Sequence, residues 1–308
     1  MQKADLKKRR QFTKEDWQIY SFLIPASVLI ILFSYIPMYG LVMAFQNYRA
    51  GSNIFDLANA KWVGLKYFKQ YVKSIYFGRT FINTLRLSVL NLIFGFTMPI
   101  LFALLLNEVR AFRLKKTIQT ISYLPHFIST VVVAGMVISF TDMNGLVNNL
   151  IGVFGIPPQE WLVKAENFPA IYTVTNVWKG FGFGSILYFS TLSSIDQQMY
   201  EAARIDGANR WQQMLYITLP SLAFIIAVQL VMQTGKMLQS NRDLILLLYR
   251  SSNATMSDTI GTYVYRQGIE GGKYSLATAV GLFSSLISLA LTIITNKISN
   301  KVSGYGLW

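Results

Sequence analysis

Six stretches of the chain carry apolar residues with few charges over about 20 positions each, the length of helix that crosses a hydrocarbon core. They run from Ser21 to Phe45, about Phe81 to Leu106, about Thr120 to Phe140, about Phe168 to Leu192, about Pro220 to Leu238, and Ser275 to Ile294. Lipid offers no partner to a backbone amide, so each stretch is predicted to be a helix. The two-residue alternation of an outer-membrane barrel is absent. The pattern predicts an all-α membrane protein with six transmembrane helices. Residues 1–19 are a basic tail, 20–45 the first span, 46–79 an external loop, 80–298 a core of five more spans, and 299–308 a second tail. Lys7-Lys8-Arg9-Arg10 before the first span resemble the start of a signal peptide. However, the apolar stretch is long and no small-x-small site closes it, so a retained anchor is expected.

Composition agrees. Of 308 residues, 53% are hydrophobic and 14% charged, against about 25% charged in soluble domains. The formal charge of +14 is read as the excess of Lys and Arg in cytoplasmic segments, not as a nucleic-acid footprint. The tail with Lys3, Lys7, Lys8, Arg9, Arg10 and Lys14, the loop with Arg110, Arg113, Lys115 and Lys116, and the tail with Lys297 and Lys301 all fall on one side of a six-span protein. That side is expected to be cytoplasmic, with both termini. The loop between spans one and two disagrees: it holds Arg49, Lys61, Lys66, Lys69, Lys73 and Arg79, yet falls outside. Cysteine is absent and the single histidine, His126, cannot build a metal site. It is read as a helix-end residue beside Pro125.

The stretch 196–220, between spans four and five, reads as helix, turn, helix. Asp196 suits a helix N-cap, and Gly207 suits the left-handed position that ends a helix. Trp211, Met214, Leu215 and Thr218 recur at three- and four-residue steps, and Pro220 is expected to open span five. This segment resembles the EAA signature of ABC importer permeases: Glu201-Ala202-Ala203, Gly207, Ile217, Leu219 and Pro220 stand at its fixed positions, with Asp206 and Ala208 as in sugar-type members. Asn83-Thr84, Ala103 to Asn107, Leu124-Pro125 and the segments from Tyr263 to Arg266, Tyr274 to Gly281 and Gly306 to Trp308 resemble the MalF/LplB-like, oligosaccharide-importing branch.

The resemblance implies the type I importer permease (MetI-like) fold in the bacterial cytoplasmic (inner) membrane. It also implies a division of labour. Glu201, Ala202, Ala203, Asp206, Gly207, Arg210 and Trp211 would form a helix that docks on a cytoplasmic ATPase and couples its closure to the spans. Two such ATPase subunits would hold the ATP and Mg, with no cofactor in this chain. A second permease, read as a different chain, and an extracellular solute-binding (lipo)protein would complete the importer. The sequence has no Gly-x4-Gly-Lys-Ser/Thr loop; Gly235-Lys236 and Gly272-Lys273 lack its spacing. The chain is accordingly read as a transport subunit and not as an enzyme.

Spans four and five are expected to line the substrate path, through Asn176, Trp178, Gly180 and Tyr188 in one and Gln229, Gln233, Ser240 and Asn241 in or just beyond the other. Amides and aromatic faces suit a sugar, though polar residues also hold membrane helices together. Lys179, about 15 Å into span four, leaves two readings open. It contacts an anionic oligosaccharide such as a uronate, with Lys236 and Arg242 extending the route. Otherwise it pairs with a carboxylate of the partner permease or snorkels to the interface. Other readings of the chain are a permease for another solute, an ion-driven secondary transporter, which should show inverted repeats and buried acids, and a scaffold, which leaves the segment 196–220 unexplained.

Overall fold

The computed structural model describes residues 14–308. Lys3, Lys7, Lys8, Arg9 and Arg10 lie outside the described residues. Among the described residues the regular secondary structure is helical, apart from an isolated bridge between Gln46 and Trp62. Four helices are long and apolar enough to cross a membrane: Asp16–Phe45, Phe77–Asn107, Thr130–Gly152 and Tyr274–Ser303. A fifth span results if Arg210–Ser221 and Ala223–Gly235, bent by 58°, are taken together. Of the six expected spans, the fourth does not meet this test. Its helix Phe168–Gly184 has 17 residues and carries Asn176 and Lys179 mid-way, before Ile186–Ser193 continues it.

The third span also differs from expectation. It is two helices, Phe112–Phe127 and Thr130–Thr141, separated by extended backbone at Ile128 and Ser129. Ser129 explains the restart: its hydroxyl accepts from the Val132 amide at 3.2 Å and caps the second helix. The stretch Thr120 to Phe140 therefore straddles a break. In the fifth span the helix after the bend starts at Ala223, and Pro220, expected to open the span, lies in the helix before the bend. A π-bulge at Met214–Thr218 and the proline together account for the 58° kink. The last helix, Tyr274–Ser303, outruns its apolar stretch. The tail then folds back along it: Asn296 and Asn300 donate to the Trp308 carbonyl at 3.1 and 2.9 Å. Tyr305 lies edge-on to Phe224, with ring centroids 5.6 Å apart.

Three clusters make up the interior. One joins span two, span four and a short helix Arg242–Leu248 through Leu87, Tyr172 and Leu244. A second joins Ala103, Tyr188 and Leu222 beside the kink. A third joins Tyr71 of the loop helix Lys66–Val72 to Tyr263 and Val280. Spans three and four touch closely because of Gly182: a Cβ there would fall 2.0 Å from the Ser122 carbonyl oxygen. His126 stacks on Phe183, centroids 4.0 Å apart, an ordinary packing role. Residues 242–270, between spans five and six, fold back on the bundle as short helices. They are pinned by Asp258, whose fully buried carboxylate accepts from Arg79 at 2.8 Å and Arg266 at 2.6 Å.

Candidate functional site: a coupling segment and a polar chamber

The segment 196–220 projects from the bundle as two short helices. Asp196 accepts from the Gln198 amide at 2.9 Å and starts the first, Gln197–Ile205. Gly207 ends it at φ +78°; a Cβ there would meet nothing within 4 Å, so the backbone angle and not crowding demands glycine. Asn209 and Gln212 cap the next helix reciprocally, at 2.8 and 2.9 Å. Two bonds brace the unit: Gln213 Nε2 donates to the Ala208 carbonyl at 2.8 Å, and the Tyr200 and Thr218 hydroxyls lie 3.0 Å apart.

Glu201, Ala202 and Asp206 are exposed and Ala203 half-buried. Arg210 faces Glu108, from the end of span two, at 3.9 Å. Ile205 and Trp211 are 87% and 70% exposed, apolar surface that no other described residue covers. All seven residues singled out for coupling thus lie on one small unit, open to a partner.

Spans two, four and five enclose a cavity of about 470 Å³ lined by Asn176, Gly180, Tyr188, Gln229 and Gln233. Next to it, and sharing Asn91, Asn176 and Gln233, is a chamber of about 200 Å³ reached by Lys236, Ser240 and Asn241. A ladder of amides forms its wall. Asn176 donates to Asn91 at 2.6 Å, Asn241 donates to Asn176 at 3.3 Å, and the Asn241 amide N–H donates to the Tyr172 hydroxyl at 2.9 Å. The Ser240 hydroxyl is buried without a hydrogen-bond partner. Eight of the ten predicted path residues therefore line the two spaces.

Trp178 and Lys179 do not. Trp178 lines a separate apolar groove with Phe94 and Met98. Lys179 donates to Thr130 Oγ1 at 2.9 Å, at the first residue of the helix restart. Arg242 pairs with its neighbour Asp243 at 3.2 Å. Asn91 and Tyr172 escaped the sequence reading, although an asparagine inside the apolar span two was itself a signal.

Residues 95–304 match the family described as "Binding-protein-dependent transport system inner membrane component". The chain belongs to this family. Members are the membrane-spanning transport subunits of ABC importers, and ATP is hydrolysed by a separate subunit. The permease is 37% identical over 291 residues to the polygalacturonan/rhamnogalacturonan transport system permease protein YteP of Bacillus subtilis (strain 168), covering 94% of this chain and 90% of that one. It is 38% identical over 296 residues to protein LplB of the same organism, covering 96% and 92%. Among solved structures it is similar, at 40% identity and a TM-score of 0.86, to a chain of a bacterial alginate ABC transporter in complex with an alginate pentasaccharide-bound periplasmic protein. That match covers 96% of this chain and 98% of that one. The permease has the MetI-like fold of ABC importers, in a multi-pass membrane subunit.

Proposed function

We propose that this permease imports an acidic oligosaccharide, delivered by an external solute-binding (lipo)protein, as one half of a heterodimeric pore driven by two cytoplasmic ATPase subunits. Both termini and the segment 196–220 face the cytoplasm in this reading. The observation that carries it is the chamber wall of Asn91, Asn176 and Asn241, with the buried, unpartnered hydroxyl of Ser240 beside it. A cluster of amide donors and acceptors around a free hydroxyl suits a polyhydroxylated ligand. Lys236 adds positive charge at the same chamber. The acidic polymers named for YteP and for the alginate transporter support an anionic cargo.

In this reading ATP draws the two ATPases together and the braced unit from Asp196 to Ser221 moves with them. The kink before Ala223 passes the motion to span five, which carries Gln229 and Gln233. Glu201 pairs with a basic group of the ATPase, Ala202 and Ala203 allow close approach, and Trp211 and Ile205 bury their apolar faces. The test is uptake by proteoliposomes holding the permease, its partner permease, both ATPases and the binding protein. ATP-dependent accumulation of a labelled trigalacturonate, with a neutral trisaccharide excluded and with at least tenfold loss in Asn176→Leu, is expected. Equal uptake of the neutral sugar by the wild type would overturn the anionic assignment.

A further inference from the structure

The outer loop holds a second polar cavity, of about 360 Å³, that neither the coupling segment nor the central chamber uses. Its construction begins where the first span ends. Gln46 leaves the helix in extended conformation, φ −119° and ψ 154°, and pairs with Trp62 across an antiparallel bridge. The Asn47 amide N–H donates to the Lys61 carbonyl at 2.9 Å, and the Val63 N–H to the Phe45 carbonyl at 2.8 Å. The loop between is thereby closed at its base. Two further bonds fix that base to the bundle: Tyr67 donates to Asn47 at 2.7 Å, and the Tyr48 amide N–H donates to Ser275 at 2.9 Å, at the start of the last helix.

Gln46 forms part of the lining. It is only 4% exposed, and its side-chain Nε2 is buried without a hydrogen-bond partner. A buried, unpartnered amide donor on a residue lining a polar space far larger than the roughly 30 Å³ share of one water suits a ligand's oxygen. The charges around it are unequal. Asp56 is engaged by Asn59, whose backbone N–H and side-chain amide donate to its two oxygens at 3.2 and 2.9 Å. These bonds hold the Asp56 carboxyl below its ordinary value, so it stays ionised and occupied. Arg49 and Lys61, also in the lining, have no carboxylate partner among the described residues. Two cations without a carboxylate partner, one satisfied anion and the side-chain amide N–H donors of Gln46 and Asn53, whose oxygen already accepts from the Phe55 amide at 3.0 Å, match a carboxylate-bearing polyol. A metal ion is not matched, because the one carboxylate is already taken.

We propose that this outer-loop cavity, with Gln46, Arg49, Asn53 and Lys61 as its contacts, is a capture subsite for a uronate residue of the transported oligosaccharide. The proposal rests on the acidic-cargo reading above. Two measurements on the permease complex with its ATPases in proteoliposomes, with binding protein supplied in the first, separate the two. The first is steady-state uptake of trigalacturonate, read as a KM-against-kcat split. An Arg49→Gln/Lys61→Gln double variant, changed only at exposed side chains, is expected to raise KM at least fivefold with kcat unchanged. Gln46→Leu is expected to act in the same direction. The second is saturation-transfer NMR of trigalacturonate on the complex without binding protein, where the double variant is expected to lose the signal. If the wild type carries trigalacturonate while the double variant keeps both its KM and its signal, the subsite is overturned and the cargo reading stands. If the wild type carries none, the cargo reading itself fails and takes the subsite with it. If the double variant instead weakens capture of the sugar-free binding protein, the surface docks that protein and the sugar assignment is wrong.

Discussion

Gly207 carries a requirement that can be stated for one residue. At φ +78° with open space around its Cα, only the backbone angle resists substitution. A β-branched residue there costs roughly 1–2 kcal/mol, and asparagine less. Gly207→Val should lower transport per ATP hydrolysed while the protein still reaches the membrane, and Gly207→Asn should retain most coupling; parallel uptake and phosphate-release assays check this. Asp258 sets a different cost. Its carboxylate is fully buried between two partly exposed arginines, and Thr262 also donates to it at 2.8 Å. Asp258→Asn leaves both guanidinium groups without a counter-charge. The expected loss is at the lower end of roughly 3–5 kcal/mol, read as a reduced melting temperature of the detergent-solubilised complex. Gly207 was legible in the sequence because a left-handed turn is a local need with a local signature. Asp258 was not, because Arg79 lies 179 residues away in the chain and the nearer Arg266, eight residues on, carries no spacing signature of a pair. Lys179 shows the same limit. Depth along a helix was readable, but which face meets Thr130 and which meets the chamber was not.

Among the elements, the unit from Asp196 to Ser221 depends on rigidity if it couples as proposed. A helix that swivels freely on its turn would dissipate the ATPase movement before it reached span five. The Tyr200–Thr218 contact at 3.0 Å ties the first short helix to the π-bulge just before the 58° bend. A hydrogen bond of this kind contributes about 0.5–1.5 kcal/mol. Tyr200→Phe and Thr218→Val should each reduce substrate-stimulated ATPase activity less than about tenfold, with basal hydrolysis intact. The double variant should be no worse than either single one, since both remove the same bond. Additive losses would show that the two hydroxyls act separately. Helix, turn and helix were readable here from Asp196, Gly207 and the spacing of apolar residues. The position of the bend was not, because a proline preceded by a π-bulge allows either a start or a kink. The broken third span was missed for a similar reason: apolar composition runs unbroken across Ile128 and Ser129, and only the hydroxyl of Ser129 marks the restart.

For the molecule as a whole, orientation decides which surface meets the ATPase and which meets the sugar. The chain lacks cysteine, so single introduced cysteines report cleanly. Asn53→Cys should react with a membrane-impermeant maleimide on intact cells, and Arg113→Cys only after lysis. The reverse pattern would put the segment 196–220 outside and remove its coupling role. The lysines of the loop 46–79, at odds with the charge rule if that loop is external as proposed, belong to a folded region with its own cavity, bridge and anchors to the last helix. A sequence-level charge count does not distinguish such a region from a mobile connection.

The fourth helix has one more consequence, for how the protein is made. Asn176 is bonded to Asn91 on an earlier helix and to Asn241 on a later segment, and Lys179 to Thr130. Two of those three partners, Asn91 and Thr130, emerge from the ribosome before it and the third, Asn241, after. A segment this polar should partition poorly into lipid when presented alone to the translocon. Residues 168–193 grafted into a reporter should insert inefficiently, and should insert better when residues 77–152 precede them. Biogenesis would then wait at this helix until Asn241 has been synthesised, and a nascent chain stalled before that point would be a natural substrate for membrane proteases.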